Sequence, residues 1–223
     1  MKYFTQIISL PLIILFALLG LGEVVYSQIT YIPDSSSRLW IEGRSNINEF
    51  ECQANQYSGE ASLIDSNEQI EFIQEEQGRV FLQVEIRVDG FECGKNRMNR
   101  DLQDALKSSE FPEITFLFGS AEILEMPSEN DQAFDLEVSG FLTVAGNTRN
   151  IRFNTRAFFL EANKVRAIGN TTIKMSDYDV TPPTALMGLI KANDELTVNF
   201  DLIASETDAI CQLCPTYNNQ LNR

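Results

Sequence analysis

The sequence predicts an all-β fold: an extended antiparallel β-barrel of about eight or nine strands, with one short helix and a second short irregular or helical flap. Three observations carry this expectation. Past residue 37, apolar and polar residues alternate with period two, which sets one row of side chains on a dry face and the other in water. The alternating stretches are separated by short polar or glycine-containing turns, the spacing of antiparallel rather than parallel sheets. Arg79 to Asp89, Ala133 to Ala145 and Thr148 to Leu160 are long for sandwich strands, and closure into a barrel accommodates long strands while removing exposed edges.

Met1 to Ser27 reads as an export signal. Lys2 supplies the positive start, Ile7 to Leu21 is a nearly unbroken apolar run, and Val25 and Ser27 suit the −3 and −1 positions of a cleavage site before Gln28. The run is shorter than the roughly 20 apolar residues of a membrane span and carries Ser9 and Pro11. The expectation is therefore a cleaved leader, no stable membrane anchor afterwards, and a periplasmic or secreted protein. Residues 28–36 read as a linker, 37–204 as the barrel and 205–223 as an irregular tail.

The clearest strand places Val80, Leu82, Val84, Ile86 and Val88 opposite Gln83, Glu85, Arg87 and Asp89. Leu136, Val138, Leu142 and Val144 alternate with Asp135, Glu137, Ser139 and Thr143; Ile151, Phe153, Ala157 and Phe159 alternate with Arg152, Asn154 and Arg156. Leu196, Val198, Phe200 and Leu202 face away from Thr197, Asn199 and Asp201. Shorter candidates are Leu39 to Gly43, Tyr57 to Ile64, Gln69 to Gln74, Ile114 to Phe118 and Val165 to Met175. Ala145-Gly146-Asn147 has the residues that tolerate positive φ and so fits a hairpin. Met98, Leu102, Ala105 and Leu106 make one stripe on a helix from about Asn99 to Ser108, with Asn99 as cap and Pro112 beyond its end; its expected role is a lid or plug over one barrel opening. Pro182-Pro183 introduces the apolar run Ala185 to Ile190, which reads either as a buried turn sealing the core or as a flap at a cavity mouth with Gly188 as hinge.

Charge and composition remove several functions. With 17 Lys+Arg against 32 Asp+Glu, the net charge of −15 argues against nucleic acid and against steady adhesion to anionic lipid. The absence of histidine eliminates Ser-His and Cys-His nucleophiles, haem attachment through CxxCH and His-containing zinc sites. Asp177 and Asp179 flanking Tyr178 read as polar residues at a strand end rather than as a general base, so no enzyme and no catalytic residue is expected. Cys52, Cys93, Cys211 and Cys214 read as disulfide partners in an oxidising compartment. Four cysteines allow three pairings; Cys52–Cys93 and Cys211–Cys214 are preferred. A zinc ribbon needs two CxxC hooks, and a redox CxxC belongs beside a βαβ unit rather than in a tail followed by Pro215. No metal or cofactor is expected.

Several stretches together are similar to a known family. They are Phe91-Glu92-Cys93-Gly94-Lys95 leading into Met98-Asn99-Arg100-Asp101-Leu102 and Ala105-Leu106-Lys107, and Phe111-Pro112-Glu113-Ile114-Thr115-Phe116. Then follow Val138-Ser139-Gly140-Phe141-Leu142-Thr143-Val144-Ala145-Gly146-Asn147-Thr148-Arg149, Met175-Ser176-Asp177-Tyr178, Pro182-Pro183 and the run Gly188 to Asp194. In this order, across about Ser37 to Ala204, they resemble the YceI-like family of exported lipid-binding barrels. The resemblance implies a lipocalin-like barrel whose apolar bore holds an amphiphilic lipid: an isoprenoid, a quinone tail or a fatty-acid-like molecule. It leaves room for a homodimer. The segment between Cys93 and Phe111 is more compact than in many members, the CxxC tail lies beyond the family domain, and no fixed ligand-contact motif carries over.

Candidate ligand contacts therefore come from the alternation. Val80, Leu82, Val84, Ile86, Phe116, Phe118, Leu136, Val138, Phe153 and Phe200 are the expected wall, with Leu186, Met187, Leu189 and Ile190 as portal. A count of 15 Phe against 1 Trp and 6 Tyr suits a lining with few polar groups to satisfy. The competing expectation is a secreted structural or interaction barrel with a filled core and no ligand, because alternation predicts a dry face whether or not a void lies behind it.

Overall fold

The computed structural model describes residues 28–64, 80–128, 132–160, 163–185 and 187–207. The candidate leader Met1 to Ser27, the candidate strand Gln69 to Gln74, Leu186 and the tail residues Cys211 and Cys214 lie outside the described residues.

Among the described residues there are twelve strands: β1 (Gln28–Pro33), β2 (Arg38–Ser45), β3 (Glu49–Ala54), β4 (Tyr57–Ile64), β5 (Val80–Arg87), β6 (Phe91–Glu92), β7 (Glu113–Glu125), β8 (Ala133–Val144), β9 (Asn147–Leu160), β10 (Lys164–Lys174), β11 (Thr184–Ala185) and β12 (Ile190–Thr207). One helix, α1 (Asn96–Ala105), lies between β6 and β7. The antiparallel ring β1-β4-β5-β7-β8-β9-β10-β12 closes where β12 pairs back onto β1, giving an eight-strand barrel. β2, β3 and β6 continue the wall from β12, and β11 pairs with the start of β12.

The closure corrects one expectation. Residues 28–33 form a wall strand instead of a linker, with Thr30 opposite both Thr207 of β12 and Ser62 of β4. The 18-residue β12 outruns the 8-residue β2, and β1 pairs the stretch that β2 leaves uncovered. β3 escaped the sequence reading although it alternates, Phe50, Cys52 and Ala54 against Glu49, Glu51 and Gln53, because six residues are a weak periodic signal. β7 runs to 13 residues, well past the expected Ile114 to Phe118; its bulges between Phe118 and Ser120 and between Ile123 and Glu125 break the simple period.

The β8–β9 hairpin turns at Ala145 and Gly146, both at positive φ (47° and 78°), the two-residue geometry that matches strand twist. The helix begins three residues before the expected position, after Lys95 in extended backbone. Asn99 does not cap it. Its Oδ1 accepts from the Cys93 amide at 2.8 Å and its Nδ2 donates to Glu92 at 2.9 Å, so it ties the helix to β6 and the following cysteine. The stripe of Met98, Leu102, Ala105 and Leu106 nevertheless faces the barrel, and Leu106 is buried. Cys52 and Cys93 form a disulfide, which agrees with the preferred pairing.

Val88, Leu106, Leu142, Val144, Ala145, Met175, Tyr178, Val180, Ala192 and Leu196 make one dry cluster, with Phe111 and Leu102 packed on it. Burial raises the Tyr178 hydroxyl above its ordinary pKa, with Asp177 adding to the effect.

Candidate ligand-binding site

The inward rows of the wall enclose a cavity of about 710 Å³ rather than a solid core. Its size falls in the range of small-molecule pockets. β5 contributes Val80, Leu82, Val84 and Ile86; β7 contributes Phe116 and Phe118; β8 contributes Leu136 and Val138; β9 and β12 contribute Phe153 and Phe200. Ile190 lines it as well. The cross-strand register explains the gathering: Val84 stands opposite Phe116 and Val138 opposite Phe153, and paired residues share a face.

Met187 and Leu189 do not line the cavity. They stand at the tip of the β11–β12 connection, 108% and 74% exposed, with Met187 and Gly188 at positive φ. Neither side chain therefore belongs to a buried turn; the buried residues on either side of the run are Tyr178, Val180 and Ala192. The tip is pinned by Asn46, whose Nδ2 donates to the Leu189 carbonyl at 2.8 Å and whose Oδ1 accepts from the Lys191 amide at 3.0 Å.

The structure adds lining residues that were read as strand but not as site: Leu39, Ile41, Ile151, Ala157, Ala167, Ile173 and Val198. Each occupies an inward position of an alternating strand, so the signal was available; what was missing was the bore's extent. Met98 and Leu102 bring the helix stripe into the lining. Phe50 and Phe91 enter from β3 and β6, strands that the sequence reading passed over.

Polar groups gather where α1 meets the β2–β3 turn. Ser45, Asn48, Glu49, Lys95, Arg97 and Asp101 border the cavity there. Arg97 approaches Asp101 at 3.7 Å, and Arg44 pairs with Glu49 at 2.9 Å, both pairs well exposed. Deeper in, the wall is almost wholly hydrocarbon, and the Thr155 hydroxyl is spent on the Ile168 carbonyl at 3.0 Å. The wall offers a mainly hydrocarbon surface, and the charged side chains among its lining residues are Glu49, Lys95, Arg97 and Asp101.

A closed antiparallel barrel with an apolar bore is an architecture that small-molecule binding proteins use. The chain belongs to the YceI-like domain family, whose model matches residues 32–204. Solved structures agree in fold. Burkholderia cenocepacia BcnA superposes with a TM-score of 0.56 at 18% identity, covering 78% of this chain and 99% of that one. A polyisoprenoid binding domain from Saccharophagus degradans, implicated in plant cell wall breakdown, gives 0.58 at 15% identity, with 79% and 98% covered. The Campylobacter jejuni YCEI protein gives 0.51 at 18% identity, with 94% and 100% covered. No curated protein matches the sequence.

Proposed function

We propose that this protein is an exported carrier or store that holds one isoprenoid or other long-chain amphiphile in its bore, without chemistry. The single observation behind the reading is the cavity of about 710 Å³ with a hydrocarbon wall. Each methylene moved from water into such a wall contributes about 0.8 kcal/mol, so ten would supply about 8 kcal/mol before the cost of ordering the chain. The polar rim formed by Lys95, Arg97 and Asp101 offers a place for the head group. Kinship with the Saccharophagus degradans polyisoprenoid binding domain supports a prenyl chain as the occupant. The apolar leader and the Cys52–Cys93 disulfide support export to an oxidising compartment.

Native mass spectrometry of the purified protein, followed by organic extraction, tests the reading. A co-purifying lipid, or a one-to-one adduct after incubation with prenyl and acyl lipids, is the expected result. Protein that stays free of lipid throughout would overturn it in favour of a scaffold.

A further inference from the structure

Three phenylalanines of the bore form one continuous row across five neighbouring strands. Phe116 on β7 meets Phe153 on β9 with ring centroids 5.7 Å apart, and Phe153 meets Phe200 on β12 at 5.6 Å in an edge-to-face arrangement. Neither contact joins adjacent strands; β8 lies within the first and β10 within the second. At each intervening position the wall carries a glycine. A Cβ on Gly140 of β8 would sit 2.5 Å from Phe116 Cζ, and a Cβ on Gly169 of β10 would sit 2.5 Å from Phe200 Cζ. The order around the wall is therefore Phe, Gly, Phe, Gly, Phe.

The register makes this a single slanted row. Gly140 lies two residues from Leu142, the partner of Phe116, and Phe153 lies two residues from Ile151, the partner of Gly140. Gly169 pairs directly with Phe200 and also with Thr155, two residues from Phe153. The row steps two residues along the strands at each of the first three strand pairs and none at the last, so it runs obliquely around the bore rather than along it. The absent side chains have a steric consequence. Phe116 and Phe200 occupy the space directly over bare backbone, so their rings rest along the wall instead of projecting across the lumen.

We propose that Gly140 and Gly169 are specificity-determining positions: they keep the middle of the bore open by letting the rings lie flat, so that one flexible chain threads past the aromatic row and fills both halves of the cavity. This rests on the reading that the bore holds a hydrocarbon chain, and it adds the class of chain: one long enough to lie on both sides of the row. An alanine at 169 cannot coexist with the present ring position, and Phe200 must swing inward and divide the cavity.

The test is isothermal titration of the purified protein with geraniol and with geranylgeraniol, a chain twice as long. Gly169→Ala should weaken geranylgeraniol binding by about tenfold or more while leaving geraniol within about threefold. Adding Phe200→Leu to Gly169→Ala should restore the longer alcohol, since the obstructing ring is gone. The contact of the new Cβ with the Asn154 carbonyl, at 2.8 Å, is common to both variants and shows in their melting temperatures, not in a preference for chain length. Should Gly169→Ala not fold, Phe153→Trp adds bulk at the same level without touching a glycine and should give the same length-selective loss. Equal weakening of both alcohols, or none, in the variants that fold would overturn the proposal. An unmodified protein that binds neither alcohol would instead overturn the reading of the bore on which it rests.

Discussion

The Ser37 hydroxyl and the backbone of Ile203 hold each other in both directions: Oγ accepts from the Ile203 amide at 2.8 Å and donates to the Ile203 carbonyl at 2.9 Å. This happens where β12 exchanges one partner for another. Its pairing with β2 ends at Asp201–Arg38 and its pairing with β1 resumes at Ala204–Pro33. Between them a serine side chain takes the place of a ladder rung, and Asp34 adds a bond from its own amide to the Ile203 carbonyl at 2.7 Å. The jog between β1 and β2 thus costs the barrel little hydrogen bonding.

Ser37→Ala should therefore destabilise the fold more than an exposed serine would. Ser37 is 7% exposed, and its loss strips both bonds from a buried rung, worth about 1–3 kcal/mol. Urea unfolding should show a lower midpoint with an unchanged slope; an unchanged midpoint would mean that water replaces the hydroxyl.

Loss of the Cys52–Cys93 bond should be costly. It closes a sequence separation of 41 residues, and the chain-entropy account puts such a loop at about 4 kcal/mol. Both sulfurs are buried beside Leu39, Ile41 and Phe91, so paired Cys→Ser changes would also bury hydroxyls. Thermal melts with and without reductant should separate widely, whereas coincident curves would show that the packing alone holds β3 to the segment after β6.

Acid should loosen the barrel at two ion pairs. The Lys164 ammonium, 2.9 Å from Asp34, holds that carboxyl well below its ordinary pKa, helped by the Ser36 amide and hydroxyl. The Arg166 guanidinium, forked onto both oxygens of Asp201 at 2.7 Å, does the same there. Both groups bind protons less readily folded than unfolded. Their contribution is complete above the unfolded Asp range, near about 4, and is lost as pH falls through that range towards their folded values. Melting temperature should be level above about pH 5 and decline below it, and Asp34→Asn should shallow that decline. An acid limb identical in the variant would remove Asp34 from the account.

Filling the lumen should abolish binding without unfolding the chain. Ala157 and Ala167 stand opposite each other and both line the cavity. A phenylalanine at 167 has open space before it, so its ring adds no overpacking and occupies the volume a ligand chain would use. Ala167→Phe should melt within a few degrees of the parent and retain no extractable lipid. Undiminished lipid in this variant would place the ligand outside the bore.

The wall strands, the hairpin at Ala145-Gly146-Asn147, the helix stripe and the preferred Cys52–Cys93 pairing were legible in the residue order, because period-two and helical spacing record which side chains must leave water. Eleven of the fourteen proposed contacts do line one cavity, and they do so for that reason. The same spacing could not tell Val88, packed in the dry cluster away from the void, from Val84 and Ile86 on the same row, which line it. Nor could it tell that Met187 and Leu189 stand in solvent, since an apolar run reads alike in a core turn and at an exposed tip. Alternation assigns a side of a strand, but the calibre of a barrel is set by how many strands close and how far their register slips. Only the folded chain places Phe200 over Gly169, thirty-one residues earlier, and so decides that the inside is hollow.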